Sequence, residues 1–404
     1  MRNKQILLLL ILGLASFIFQ SCNEQPTDLG FLFLNDTISI KAVCSEKLPL
    51  IVETKTVPDP TVIFNSSCLY IGKTDSLSTV SMLRFQHIPD SLANLPIDKI
   101  RECYMELYPR RYGIGDTVSN NLAFNVYKIT KYWTAETICD SLFDKNGQSD
   151  YFDKVSQGFY NKPIPFNDTT KSVKINLNKQ LLLDWFVMAR DSVINWGIAL
   201  LPNENTSVIR QFSAQAISEN FKNAEITMIY TNSQDSTDTL KIDTGIDAAV
   251  VCNLIPDTDD MIVQGGVINK SKISLDLSEI PPEAGILSAE LEITLNTSAV
   301  RKGNMPLDSI IRASVYYDDK FDSTQKKIIQ GYRVEGSDNF LFPNLVEIIE
   351  EFNHNDGKGN LYLEPEGWSI VQRLDIIPFY GINTENIDVR PKLRIVYSTR
   401  FVRK

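Results

Sequence analysis

Two groups of side chains in this sequence have the types and spacing to hold a ligand: Arg110, Arg111 and Tyr112, and shortly after them Tyr132 and Trp133. A guanidinium meets a carboxylate through paired hydrogen bonds, and the flat face of Tyr or Trp stacks on a sugar ring. Together they make a candidate binding site for a carboxylated glycan; the plainer alternative is a solvated loop beside a core aromatic. Trp196 and Trp368 sit in apolar stretches and read as core. Asp257, Asp259 and Asp260, in the run Asp-Thr-Asp-Asp, supply oxygens of the kind that coordinate a structural Ca²⁺. That run lacks the Gly and closing Glu of an EF-hand loop, so a solvated acidic turn is its alternative. Asp318-Asp319 is a weaker case of the same kind.

Catalytic chemistry finds less to build on. The chain has two histidines, His87 and His354, both in turn-like settings that suit exposed polar residues. There is no Gly-x-Ser-x-Gly elbow, no P-loop and no dinucleotide-binding Gly pattern. Paired carboxylates could serve a glycosidase, but among 50 acidic residues no spacing singles out a pair. No catalytic residue is assigned, and the chain is read as a non-enzyme that needs no cofactor.

The elements that must position these residues belong to a chain of 404 residues with 43% hydrophobic and 22% charged side chains. That composition supports two or three globular domains. A net charge of −10 leaves no basic field for phosphates and argues against nucleic acid as a partner. Runs at 38–44, 80–85, 103–108, 122–129, 173–177, 197–201 and 225–230 are short, rich in β-branched or aromatic residues, and bounded by Pro, Gly, Asn, Asp or Ser. Helical periodicity is confined to 179–189 and 345–352, with Asn178 and Pro343-Asn344 as start signals. The fold class expected is all-β. The stretch 231–239 has no apolar side chain and reads as a linker between two similar halves.

The first residues address the compartment. Arg2 and Lys4 precede an apolar run over 6–19, too short to cross a bilayer comfortably, and Ser21 precedes Cys22. This resembles the lipobox of bacterial lipoproteins, with Phe19 where that pattern usually has Leu. The resemblance implies cleavage before Cys22, its lipidation, and a polar tether of the kind seen in Bacteroidota. The membrane is then a partner through the lipid anchor. Of the other five cysteines, Cys44, Cys68, Cys103, Cys139 and Cys252, none forms a CxxC pair. They read as mostly unpaired buried thiols, although an oxidising compartment permits disulfides.

The two halves echo each other in order. Ala42-Val43-Cys44 is matched to Val250-Val251-Cys252, and the strand ending Leu83-Arg84-Phe85 to Leu275-Asp276-Leu277. The alternating strand Cys103-Tyr104-Met105-Glu106-Leu107 is matched to Ala289-Glu290-Leu291-Glu292-Ile293, and Val126-Tyr127 to Val315-Tyr316. The helix at 179 corresponds to that at 345, Asn195-Trp196 to Gly367-Trp368, and 225–230 to 392–397. This succession resembles the disaggregatase-related (DNRLRE-type) domain, a jelly-roll family of secreted proteins in which some relatives bind acidic polysaccharides. It implies two tandem jelly-roll β-sandwiches, each with one short helix. The boundaries expected are a signal peptide 1–21, a tether 22–37, a first sandwich 38–231, a linker 232–240 and a second sandwich 241–404. The function expected is a lipid-anchored envelope protein of the outer membrane, at the cell surface or on the periplasmic face. It acts as a non-catalytic binding or structural module, with polysaccharide as the leading ligand. A protein–protein adaptor or adhesin, with an envelope protein as partner, is the alternative; a carbohydrate-active hydrolase or lyase ranks behind both.

Overall fold

The computed structural model describes residues 36–58, 62–215, 222–253, 258–266, 269–316, 326–367 and 372–402. The chain is all-β: two large antiparallel sheets, each folded over an apolar core as a sandwich. The predicted strands are present within a few residues of their expected ends. The longest extend further, because 100–115 and 237–253 each run through both layers of the first sandwich. Residues 100–106 pair with the strand Glu225–Thr231, and 108–115 pair with Val208–Ser213. Residues 237–243 likewise pair with Glu225–Thr231 before the rest turns onto Leu77–Phe85. A shift in register between Thr244 and Ile246 marks that corner.

Alternation fixes which face is buried. Cys103, Met105 and Leu107 point into the core while Tyr104 and Glu106 are half-buried on the other face. In the second sandwich Ala289, Leu291 and Ile293 do the same opposite Glu290 and Glu292. Each such Leu, Ile or Met side chain taken out of water contributes about 1.5–3 kcal/mol. The helix Lys179–Arg190 starts where the Asn178 side chain accepts the Gln180 N–H at 3.1 Å. It closes one end of the first core with Leu182, Trp185 and Phe186. Val346–His354 does the same in the second sandwich with Ile348, Ile349 and Phe352. A third, single-turn helix, Cys139–Leu142, had no sequence signal.

The strand pairings redraw the expected boundaries. The polar stretch after 231 is the tip of a hairpin whose arms pair from Thr231 with Thr237 to Glu225 with Asp243, and it links no units. Its second arm, Thr237–Asn253, therefore belongs to the first sandwich. The second sandwich is completed from the other end of the chain. Asp36–Cys44 pairs with Lys392–Val402, and Ile51–Pro58 pairs with Asn269–Asp276. The two repeats thus trade equivalent segments: the one preceding each repeat closes the other. A polar run without apolar anchors is as compatible with a long turn as with a linker, and the flanking strands decide.

Two sequence matches fall with this. Ala42-Val43-Cys44 pairs with the last strand, whereas Val250-Val251-Cys252 pairs with Leu77–Phe85, so they are not equivalent. Trp196 precedes the strand Ile198–Pro202, but Gly367 follows the corresponding strand Lys358–Pro365; Trp368 lies outside the described residues. The other strand matches keep their place. Leu83 pairs with Ile198, and its counterpart Leu275 pairs with Gly359.

Cys139 and Cys252 form a disulfide that ties the single-turn helix to the end of the exchanged strand. Cys68 and Cys103 are buried free thiols and Cys44 is a half-buried one. The sandwiches meet across a mixed apolar and polar seam. Tyr70, Tyr112 and Ile209 of the first pack with Ile262, Leu374 and Ile376 of the second. Asn304 brackets the strand opposite it, donating to the Arg111 carbonyl at 2.8 Å and accepting from the Gly113 N–H at 3.0 Å.

Candidate functional site

The structure separates the five side chains read as one candidate site. Tyr112 is buried in the seam, its hydroxyl donating to Asp375 and accepting from the Leu374 N–H. Arg110 donates to the Ser213 hydroxyl at 3.2 Å and to the Cys68 sulfur at 2.6 Å. Arg111 is exposed, with its carbonyl engaged by Asn304. This trio serves the junction between sandwiches. Trp133 packs elsewhere, buried against Phe64, Met82 and Leu142 on the outer face of the first sandwich. Its Nε1–H donates to the Trp196 carbonyl at 2.8 Å. Tyr132 and Trp133 both lie in the loop that follows the strand Asn121–Ile129, and Tyr132 faces out.

Tyr132 is the member of the five that remains as an exposed aromatic, 61% accessible. Its ring meets Trp196 edge-on, with centroids 5.1 Å apart. Trp196 is half-buried and thus not the core residue its apolar setting suggested. Gly197 makes that placement possible. Its φ is +87°, and a Cβ there would lie 1.9 Å from the Leu83 carbonyl oxygen. Beside the pair, Lys131 bonds the Asp150 carboxylate, and its ammonium lies 5.5 Å from the centre of the Tyr151 ring. The Lys131 hydrogen bond holds the exposed Asp150 carboxyl below its ordinary range. Two aromatic rings flanked by one cation and one carboxylate can stack on the CH face of a pyranose and bond its hydroxyls. Val193 and Ile194, both exposed, lead into Trp196 along the chain.

A second polar cluster had no signal in the sequence. In the second sandwich Glu364 is buried, accepting from the Ser314 hydroxyl at 2.5 Å and the Tyr316 hydroxyl at 2.6 Å. The buried Lys270 ammonium is 3.9 Å from Glu364 and 4.5 Å from the Tyr316 ring centre. In local sequence these residues read as the solvated side of amphipathic strands. They are an internal ion pair held by hydroxyls, and such a pair is costly to break from one side.

The remaining expectations resolve simply. His87 and His354 are exposed. Asp257 and the pair at 318 and 319 lie outside the described residues. Asp259 is exposed, and Asp260 accepts from Asn296 Nδ2 at 2.8 Å. Among the described residues no three His, Cys, Asp or Glu side chains gather at metal-binding distance, and none of the described helices is long and apolar enough to cross a membrane. Comparison with protein-family models gives no match, and neither does comparison with curated proteins.

Proposed function

We propose that the protein is a lipid-anchored, non-catalytic component of a bacterial cell envelope whose first sandwich binds glycan through Tyr132 and Trp196. The observation that carries this is the exposed Tyr132 ring set edge-on against a half-buried Trp196, with Lys131 and Asp150 beside it. Aromatic faces held rigidly on a β-scaffold lose little entropy on binding. The lipobox-like Ser21-Cys22 and the order of landmarks resembling the disaggregatase-related family support the compartment and the ligand class. A glycan array probed with the mature protein tests the reading. It expects binding to acidic or neutral polysaccharide that falls at least about tenfold in Tyr132→Ala, a loss of about 1.4 kcal/mol. Equal signal from wild type and variant, or none from either, overturns it.

A protein partner is the second reading, favoured by the strand Phe152–Pro163. There Phe159 is 71% exposed and Val155 is exposed near it. Cross-linking at Phe159 in the source cells distinguishes this from the glycan reading.

A further inference from the structure

The exchange of strands places the entry of the tether on the second sandwich. Asp36–Cys44 pairs on one side with Lys392–Val402 and is the last strand of its sheet in that direction. Its inward residue Val43 packs on the second core. Its outward residues Ile38 and Ile40 are 63% and 67% exposed, and Ala42 is exposed beside them. Ala42 pairs with half-buried Val396, which pairs in turn with Ser288. The register slips between Ile286 and Ser288. That slip turns Leu287 outward, 52% exposed. Apolar side chains therefore stand on three adjacent strands of the outer face of the second sandwich, with Arg400 and Ser398 paired to Ile38 and Ile40 on the middle one.

We infer that this patch lies against the lipid surface to which the protein is anchored. The inference rests on the lipid-anchor reading of Cys22. Fourteen residues run from Cys22 to Asp36, which span at most about 50 Å when fully extended. The last part of that tether, Leu29 to Leu34, is itself apolar in five of six positions. The patch begins two residues into the strand that the tether feeds. A net charge of −10 gives no attraction to anionic lipid, so the contact is apolar and is not weakened by salt. The second sandwich is thus the base and the first, with Tyr132 and Trp196, the head.

The test uses the acylated mature protein in vesicles of phosphatidylethanolamine and phosphatidylglycerol carrying brominated acyl chains. A bimane label is placed at Leu287→Cys or, as a control in the first sandwich, at Val118→Cys, both in a Cys44→Ser background. Quenching several-fold stronger at 287 than at 118, not weakened by salt and lost in Ile38→Asp/Ile40→Asp, is the expected result. Equal quenching at both positions, or no effect of the double substitution, overturns the inference. So does a sedimentation profile in which the patch holds a second copy and the double variant becomes monomeric. The intact mass of the mature N-terminus reports acylation independently. If Cys22 carries no lipid, the anchor reading falls by itself. The patch is then judged by sedimentation of the unacylated chain with the same vesicles, where equal partitioning of wild type and double variant overturns it.

Discussion

The Tyr112 hydroxyl of the first sandwich donates to Asp375 Oδ1 of the second at 2.9 Å, and the same carboxylate oxygen accepts the Gly303 N–H at 2.7 Å. Burial raises the Asp375 carboxyl above its ordinary range, and burial together with that carboxylate pushes the Tyr112 phenol well above its own. The seam is therefore held by a buried polar pair. Tyr112→Phe leaves both Asp375 and the Leu374 N–H short of a partner. It should cost about 1–3 kcal/mol, read as a lower midpoint in urea unfolding.

Asp247 gives a pH dependence. It is fully buried at the corner strand, and burial lifts its carboxyl to about 6. A carboxyl whose folded pKa is raised favours the protonated folded state. Its stabilising contribution is fully present below the ordinary value of 3.8 and is lost as pH rises to about 6. The loss is about 3 kcal/mol at 1.36 kcal/mol per pH unit. Unfolding free energy measured between pH 4 and 7 should fall over that window in wild type and stay flatter in Asp247→Asn.

The Cys139–Cys252 bond closes a span of 113 residues. A chain-entropy estimate for a loop of that size is about 5 kcal/mol. Cys252→Ser should lower the denaturation midpoint by a corresponding amount, and a reducing agent should do the same to wild type while leaving the variant unchanged.

Gly197→Ala tests the support under the aromatic pair. The new Cβ would collide with the Leu83 carbonyl in a backbone conformation L-residues avoid, costing about 1–3 kcal/mol from the conformation alone. Glycan binding should fall with stability, and near-ultraviolet circular dichroism should show the Tyr132–Trp196 contact altered.

Much of the fold is written in local pattern. Period-two alternation in 103–107 and 289–293 names the buried faces, and Asn178 marks a helix start. The choice of partner strand is not local. Asp36–Cys44 reads as a strand anywhere, and nothing within it says that its mate is Lys392–Val402. The candidate site was half legible for the same reason. Aromatic type identified Tyr132 and Trp133 together, but only the tertiary contacts of Trp133, among them its hydrogen bond to the Trp196 carbonyl, show which ring is buried. Lys270 and Glu364 were invisible because charge on a strand ordinarily signals solvent, and tertiary packing overrides that.

The register running from Asp36 with Val402 to Cys44 with Arg394 also sets an order in time. The first described strand is synthesised well before its mate, the last described strand. Contacts of such sequence separation form late. Until Lys392–Val402 is in place, the pairing edges of Asp36–Cys44 and Gly285–Thr294 that face it are both open. A chain cut short by even its final strand would leave both ends of that ladder without a mate.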